Sequence, residues 1–318
     1  MSCHFLNQVF INQNFINQQY RNGAFMKNRI TKIRNGFLCF LPIMIFSSVS
    51  AQSNTANWPS QNLNVENSRY STLDQINTSN VDQLNMLWSF EPGLREDIAQ
   101  VTPLVVDGVM YLHSRATMFA LDATTGEELW RRILDSGPAN GPVRGSTYAD
   151  GRVYAYRGAD LYAFDADTGA ALASFGDAGF LKVVAEGLHH QYPDTDPTNI
   201  DPITIGYRLT TPPTFHDGII YVAAALSEGH IPGGLVIAID AYTGAIQWVF
   251  NTIPQTPRDS GWELAQESWG TGARAGGGVW TPPAIDAELR MVYVNAGNPS
   301  PDYDGSARIG ANLFSNST

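Results

Sequence analysis

The sequence predicts an all-β fold, and within that class a β-propeller, from a composition suited to short strands and from a recurring strand-and-turn unit. The 318 residues include 29 glycines and 18 prolines beside 13 tyrosines and 7 tryptophans. Glycine and proline favour tight turns, whereas the aromatic residues favour strands. A recurring unit that cannot bury both of its faces alone is typical of a radially packed propeller.

The recurring unit is a strand with a Val-Tyr type centre, followed by the pattern Ala-x-Asp-x-x-Thr-Gly-x-x-x-Trp. One copy starts at Gly108-Val-Met-Tyr-Leu112 and continues to Ala120-Leu-Asp-Ala-Thr-Thr-Gly126 and Trp130. A second copy contains, in the same order, Gly218-Ile-Ile-Tyr-Val222, Ala238-Ile-Asp-Ala-Tyr-Thr-Gly244 and Trp248. Alternating strands, a hairpin turn and a large indole to bury between neighbours together predict a four-stranded blade.

Two more copies are incomplete. Gly151-Arg-Val-Tyr154 leads to Ala163-Phe-Asp-Ala-Asp-Thr-Gly169, but Ala173 stands at the tryptophan position, and Arg290-Met-Val-Tyr-Val294 opens a copy whose turn does not follow. With these copies the sequence predicts about four blades.

The long interval between Asp165 and Asp240 predicts an insertion within the repeat. Residues 186–205 are polar, rich in proline and without periodicity, and we expect a long loop there. Within it, His189 and His190 could bind a metal, although solvated loop histidines are the commoner explanation.

Residues 26–51 are predicted to be a secretory signal peptide. The basic segment 27–34 precedes the apolar run 36–46, and Val49-Ser-Ala51 offers small residues for cleavage before Gln52. The apolar run is about half of the ~20 residues that a membrane-spanning helix needs, so an anchor there is not expected.

The domain prediction follows from that segment. Residues 1–25 carry no targeting pattern, and we interpret them as an upstream extension before a true start at Met26. Residues 52–318 form the predicted partial propeller domain, which would lie in the periplasm.

Charge and cysteine content exclude several functions. The net charge is −11, and the mature domain is more acidic still because residues 1–51 hold basic residues and no acidic ones. An acidic surface repels phosphate backbones, so no nucleic-acid partner is expected. Both cysteines, Cys3 and Cys39, precede the predicted cleavage site, which excludes disulfides and thiolate chemistry in the mature chain.

The repeated pattern resembles the tryptophan-docking motif of quinoprotein alcohol dehydrogenases, which depend on pyrroloquinoline quinone (PQQ). The N-terminal segments Trp58-Pro-Ser-Gln61, Ser68-Arg-Tyr-Ser71 and Asn80-Val-Asp-Gln-Leu84 are similar to the opening of that family, whose first strand closes the ring. The resemblance implies an eight-bladed ring, of which this chain would supply about four blades.

The resemblance also implies five site residues. Trp280, in Gly276-Gly-Gly-Val-Trp280, would stack beneath the quinone. Arg144 would hold a quinone carboxylate, and Gln100 occupies the place of a further polar contact. Glu228 and Asn298 would bind a hard cation, either Ca²⁺ or a lanthanide.

Each of these assignments has a simpler alternative. Trp280 could be an ordinary blade-packing residue, Asn298 a turn residue before proline, and Glu228, Arg144 and Gln100 exposed polar residues. For Trp280 the cofactor role is favoured, because the glycines before it suit close approach of the backbone to a ligand.

Several departures from the family pattern bear on function. The adjacent cysteines that often precede the arginine are replaced by Asn140-Gly-Pro-Val143, and a common threonine is replaced by Tyr156. We expect the family's catalytic aspartate beyond Thr318. No catalytic residue is therefore assigned, and we expect the 318-residue chain to be inactive alone.

The implied function is oxidation of an alcohol or sugar by hydride transfer to PQQ, with Ca²⁺ as Lewis acid and cytochrome c or a quinone as electron acceptor. A cofactor-free periplasmic propeller that acts as a scaffold is the main alternative. A glycoside hydrolase would need paired carboxylates in one cleft, and no Asp or Glu spacing indicates them.

Overall fold

The computed structural model describes residues 11–12, 57–93, 96, 98–134 and 142–318. They form four antiparallel sheets that follow one another in chain order, which confirms the predicted all-β propeller architecture. The predicted signal peptide, residues 26–51, lies outside the described residues. So do residues 1–25, apart from Ile11 and Asn12. No helix in the described ranges is long and apolar enough to cross a membrane.

The first two sheets are four-stranded blades. The first contains β2 (Leu104–Val106), β3 (Val109–His113), β4 (Thr117–Asp122) and β5 (Glu128–Ile133). The second contains β6 (Thr147–Ala149), β7 (Arg152–Arg157), β8 (Asp160–Asp165) and β9 (Phe180–Leu181).

The third and fourth sheets complete the described part of the ring. The third contains β10 (Arg208–Leu209), β11 (Thr214–His216), β12 (Ile219–Ala225), β13 (Leu235–Asp240) and β14 (Ile246–Asn251). The fourth contains β15 (Ala284–Asp286) and β16 (Met291–Tyr293), beside which lies the short strand β1 (Ile11–Asn12).

The core lies between neighbouring sheets, as expected for a propeller. One cluster joins the first and second blades through residues such as Tyr111 and Val153, and another joins the second and third through Tyr154 and Ile237. A third cluster, which includes Val236, joins the third blade to the fourth. Each blade therefore buries its apolar faces against its neighbours.

The Asp-x-x-Thr-Gly turns have the same local structure in each copy. In the first copy, Oδ1 of Asp122 accepts hydrogen bonds from the backbone N–H groups of Thr124 and Thr125. Asp165 and Asp240 accept equivalent bonds from Thr168 and Thr243. Aspartate and threonine are used here because their side chains satisfy turn backbone groups.

The indole of Trp130 docks on the turn of the next blade. Its Nε1 donates to the carbonyl of Ala166 at 2.9 Å, and its ring lies so close to Gly169 that a Cβ there would meet it at 2.7 Å. Gly169 has φ +65, so glycine is required there both for the backbone conformation and for the space above it.

A second docking tryptophan, Trp88, was not predicted from the sequence. Its Nε1 donates to the carbonyl of Ala123 at 3.3 Å, and its ring covers Gly126 in the first blade as Trp130 covers Gly169. The pattern Asp-x-x-Thr-Gly does not precede Trp88 in the sequence, so the repeat search gave no signal for it.

The copy with Ala173 in place of tryptophan is docked differently. The hydroxyl of Tyr154 donates to the carbonyl of Ala241 at 2.7 Å, just as the hydroxyl of Tyr111 donates to the carbonyl of Ala166 one blade earlier, where Trp130 donates as well. Phe175 and Gly176 lie against Gly244, where an indole ring would otherwise pack. Phe175 and Gly176 therefore take the place of the missing indole on this turn.

The prediction of a loop over residues 186–205 is wrong at both ends of that range. Helix α1 (Val183–Gln191) contains Glu186, His189 and His190, and α2 (Pro202–Ile205) and a 3-10 turn at Pro197–Asn199 follow it. Val184 and Leu188 are buried one helical turn apart, and Gly187 lies against Ile237, so α1 is stabilised by packing on the third blade. The third described helix is α3 (Trp262–Trp269).

The N-terminal segment 57–67 crosses the innermost strands of several blades. The N–H of Trp58 donates to the carbonyl of Val105, that of Tyr148 to Pro59, and that of Ile285 to Val65. A cavity of about 840 Å³ lies beneath this segment, lined by Asn62, Tyr148, Phe215 and others, but by none of the five predicted site residues.

Candidate cofactor site

Four of the described loops converge at one end of the ring because each leads into the innermost strand of its blade. Gln100, Arg144, Thr210 and Trp280 lie in the few residues before β2, β6, β11 and β15 respectively. These strands are in the same register, since each starts opposite a tyrosine of the next strand. Successive blades therefore bring these side chains to the same face of the ring.

Hydrogen bonds connect these loops around the ring. The N–H of Thr102 donates to the carbonyl of Arg144 at 3.1 Å. One guanidinium nitrogen of Arg144 donates to the carbonyl of Thr210 at 2.8 Å. The hydroxyl of Thr214 donates to the carbonyl of Pro283 at 3.1 Å. The face is thus built from interlocked backbone segments rather than from independent loops.

Arg144 and Trp280 are brought together. The guanidinium carbon of Arg144 lies 5.6 Å from the centre of the Trp280 ring, and the indole is 53% exposed. A blade-packing tryptophan such as Trp130 is only 7% exposed, so Trp280 is not an ordinary core residue. An exposed aromatic face beneath a cation can bind a flat, negatively charged molecule.

Tyr156 and His113 support Arg144 from below. The hydroxyl of Tyr156 accepts a hydrogen bond from the N–H of Arg144 at 3.0 Å, and Nδ1 of His113 lies 2.9 Å from the carbonyl of Gly145. Burial raises the pKa of Tyr156 and lowers the pKa of His113 to about 4. Both rings are therefore neutral near pH 7 and leave the charge of Arg144 uncompensated.

Three buried hydroxyls lie at the same level of the ring. Ser146, Thr210 and Thr211 are each 1% exposed, and their hydroxyl oxygens have no hydrogen-bond partner among the described residues. A buried hydroxyl without a partner costs about 1–3 kcal/mol. Their position beside Arg144 indicates a polar ligand that would satisfy them.

Gln100 lies in an exposed turn, two residues before the hydrogen bond between Thr102 and Arg144. Its place before β2 corresponds to that of Arg144 before β6, and its contact with a cofactor stays a prediction. Of the stretch 140–143, where a cysteine pair would stand in the family, residues 140 and 141 lie outside the described residues.

Two of the three glycines before Trp280 pack against protein backbone. A Cβ at Gly276 would lie 2.4 Å from the carbonyl oxygen of Asn298, and one at Gly278 would lie 3.1 Å from the nitrogen of Ser227. These two glycines therefore allow three backbone segments to pack side by side. Close approach of the same glycines to a ligand stays a prediction.

Glu228 is exposed in a tight 3-10 turn, Ser227–Gly229. The flanking residues Leu226 and His230 both have left-handed backbone conformations, with φ of 87 and 55. Such conformations are costly for residues other than glycine and are held by surrounding structure, often at functional sites.

Asn298 is held by a carboxylate. Its Nδ2 donates to Oδ1 of Asp302 and, at 3.2 Å, to the carbonyl of Pro299. Because an ionised carboxylate only accepts hydrogen bonds, Asp302 fixes which way the amide points and leaves Oδ1 of Asn298 on the other side. Asp302 was not identified from the sequence.

Glu228 and Asn298 do not touch, but their segments are joined through Gly278, which bonds to both Ser227 and Gly297. Among the described residues there is no cluster of three His, Cys, Asp or Glu side chains that could hold a metal. A cation here would therefore have one carboxylate and one amide oxygen from these positions.

Comparison with known proteins decides the family. Residues 58–318 match the model of the glucose/ethanol/alcohol dehydrogenase β-propeller domain, which is a PQQ domain. The chain belongs to the PQQ-dependent alcohol dehydrogenase family. The resemblance of the docking motifs is thereby confirmed.

Individual relatives support the same family assignment. The chain is 33% identical over 295 residues to the dehydrogenase subunit of the quinone-type alcohol dehydrogenase of Acetobacter aceti, covering 84% of this chain and 36% of the relative. Solved quinohemoprotein alcohol dehydrogenases of Pseudomonas putida and Comamonas testosteroni superpose with TM-scores of 0.63 and 0.62, at 29% and 26% identity. Each superposition covers 77% of this chain, and 35% and 36% of the respective solved chain. This chain thus spans about a third of the length of these relatives.

Proposed function

We propose that this chain forms part of a periplasmic dehydrogenase that oxidises alcohols or sugars with PQQ and Ca²⁺. The observation that carries the proposal is the pairing of Arg144 with the exposed Trp280 beside three buried hydroxyls that lack partners. A cofactor-free scaffold has no need of such a face.

The residues fit PQQ chemically. The exposed indole of Trp280 offers a flat surface for a tricyclic ring, and the guanidinium of Arg144 suits a carboxylate at the edge of that ring. The hydroxyls of Ser146, Thr210 and Thr211 can donate to further carboxylate or carbonyl oxygens. Gln100 would add a polar contact from the first blade.

Glu228 and Asn298 would supply part of the metal shell. Ca²⁺ takes six to eight oxygen ligands in a flexible arrangement, and carboxylate and amide oxygens are both suitable. Two protein oxygens are too few alone, so the remaining ligands would come from the cofactor and solvent. A lanthanide would accept the same oxygen donors.

When bound, PQQ supplies a hydride acceptor whose carbonyl the metal polarises. The residues of this chain then have binding and positioning roles: Trp280 orients the ring plane, Arg144 fixes its rotation, and Glu228 holds the cation. No residue of the chain is assigned as the base that removes the hydroxyl proton. Electrons would pass on to cytochrome c or a quinone.

The periplasmic location is supported by the sequence of basic, apolar and small residues over 27–51. The expected mature N-terminus is Gln52.

Calorimetric titration of the chain with PQQ tests the proposal, with and without Ca²⁺. We expect one PQQ per chain and at least tenfold tighter binding when Ca²⁺ is present, because the cation would link Glu228 and Asn298 to the cofactor. Compared with the wild type, Trp280→Ala should bind PQQ about tenfold more weakly, since stacking on an indole contributes about 1–3 kcal/mol. No binding under either condition would favour the scaffold alternative.

A further inference from the structure

Three backbone segments lie side by side next to Trp280. We call them the glutamate turn (226–231), the glycine segment (275–278) and the asparagine loop (297–300). The glycine segment lies between the other two: Gly276 donates to the carbonyl of Ile231, and Gly277 donates to the carbonyl of Asn298, both at 2.8 Å. Glu228 and Asn298 are thus held on opposite sides of a shared backbone segment.

At one end of this arrangement the spacing is set by backbone contacts. The N–H of Gly278 donates to the hydroxyl of Ser227 at 3.0 Å, and the N–H of Gly297 donates to the carbonyl of Gly278 at 3.0 Å. Because a Cβ at Gly278 would lie 3.1 Å from Ser227 N, this close packing of the segments requires glycine at position 278. The residues that make these contacts in the two outer segments, Ser227 and Gly297, come directly before Glu228 and Asn298 in the chain.

At the other end, a side-chain contact joins the outer segments directly. Nδ1 of His230 lies 2.5 Å from the hydroxyl oxygen of Ser300. His230 is two residues after Glu228, and Ser300 is two residues after Asn298. Ser300 is buried, whereas the imidazole of His230 reaches it from an exposed position with a left-handed backbone.

We propose that the hydrogen bond between His230 and Ser300 is a clasp that positions Glu228 and Asn298 for metal binding. The inference rests on the proposed metal site and adds two positioning residues to it. Without the clasp, the glutamate turn and the asparagine loop would keep their backbone bonds to the glycine segment. The direct side-chain bond between them beyond Glu228 and Asn298 would be lost, so the positions of these two side chains relative to each other would be less well fixed.

The role assigned to His230 is positioning rather than ligation. Its Nδ1 is committed to Ser300, and Ca²⁺ prefers oxygen to imidazole nitrogen. Loss of a group that orients a metal ligand lowers metal affinity by about 10- to 100-fold in proteins. Breaking the clasp should therefore lower the affinity for Ca²⁺ and leave the stability of the fold unchanged.

A double-mutant cycle on the full chain tests the clasp. Ca²⁺ affinity is measured by calorimetry, with PQQ at saturating concentration, for wild type, His230→Ala, Ser300→Ala and the double variant. We expect each single variant to bind Ca²⁺ about tenfold more weakly, and the double variant to be no weaker than either single variant. His230→Gln, whose amide can still bond to Ser300, should recover most of the affinity. His190→Ala, in the remote helix α1, is the matched control and should not change it.

The possible outcomes separate the clasp from the proposed function. Wild-type affinity in both single variants, or losses that multiply in the double variant, would overturn the clasp while leaving the metal site in place. Wild-type chain that binds no Ca²⁺ with PQQ present would overturn both. Thermal unfolding without Ca²⁺ should show the same midpoint for all variants, and a shifted midpoint matching the affinity loss would assign the contact a structural role instead.

Discussion

Replacing Trp130 with alanine is expected to destabilise the protein by about 3–5 kcal/mol, as removal of a large buried aromatic side chain does in other proteins. Trp130 is 7% exposed, covers Gly169 of the next blade and donates to the carbonyl of Ala166. The substitution would leave a cavity between the first two blades and remove one of the two hydrogen bonds that the carbonyl of Ala166 accepts, the other coming from the hydroxyl of Tyr111. Urea denaturation followed by circular dichroism gives the free energy of unfolding.

Trp280→Ala is the control for this prediction because it removes the same side chain from an exposed site. With the indole 53% exposed, little apolar surface is lost from the interior, and we expect a cost below about 1 kcal/mol. Equal destabilisation by the two substitutions would show that Trp280 is a packing residue, and the distinction between docking and cofactor-facing tryptophans would fail.

Replacing Arg144 with alanine is expected to weaken PQQ binding by about 100-fold. A hydrogen bond to a charged partner contributes about 1.5–3 kcal/mol, and the guanidinium can make two such bonds with one carboxylate. Arg144→Lys keeps the positive charge but lacks the paired donors of the guanidinium. Its PQQ affinity should therefore lie between those of the wild type and of Arg144→Ala. Calorimetry with PQQ and Ca²⁺ measures the change.

Arg152→Ala provides the matched comparison. Arg152 also lies over an aromatic ring, 4.6 Å from the centre of Tyr242, but at the opposite end of β6 from Arg144. Its loss changes the net charge equally and should leave PQQ affinity within about twofold, since surface charges at that distance are screened. Equal loss in both variants would mean that overall charge, and not a contact with Arg144, determines binding.

The docking turns could be predicted from the sequence because their structure is local. Asp122 bonds to backbone groups two and three residues ahead, so the pattern that forms the turn is contiguous and repeats visibly. Trp88 and Phe175 could not be predicted in the same way. Their docking depends on a glycine in another blade, and the sequence around them does not encode that partner.

The candidate site was predicted residue by residue but not as an arrangement. Arg144 and Trp280 are distant in the chain, and only the common register of β6 and β15 places them 5.6 Å apart. The unpartnered hydroxyls of Thr210 and Thr211 gave no signal, because burial without a partner is visible only in three dimensions.

One sequence-based expectation failed for a physical reason. The helix α1 was missed because its polar residues suggested a loop, whereas Val184 and Leu188 pack on the third blade and stabilise a helix. A second feature, the packing role of the glycines before Trp280, was not predicted, although a Cβ at Gly276 would collide with the backbone of the asparagine loop. Glycine content alone does not show what approaches the backbone.

The most direct test of the central claim is a crystal structure of the chain with PQQ and Ca²⁺. The account predicts the tricyclic ring stacked on Trp280, a carboxylate paired with the guanidinium of Arg144, and the cation bound to oxygens of Glu228 and Asn298. PQQ bound at another surface, with the face between Arg144 and Trp280 filled only by water, would contradict it.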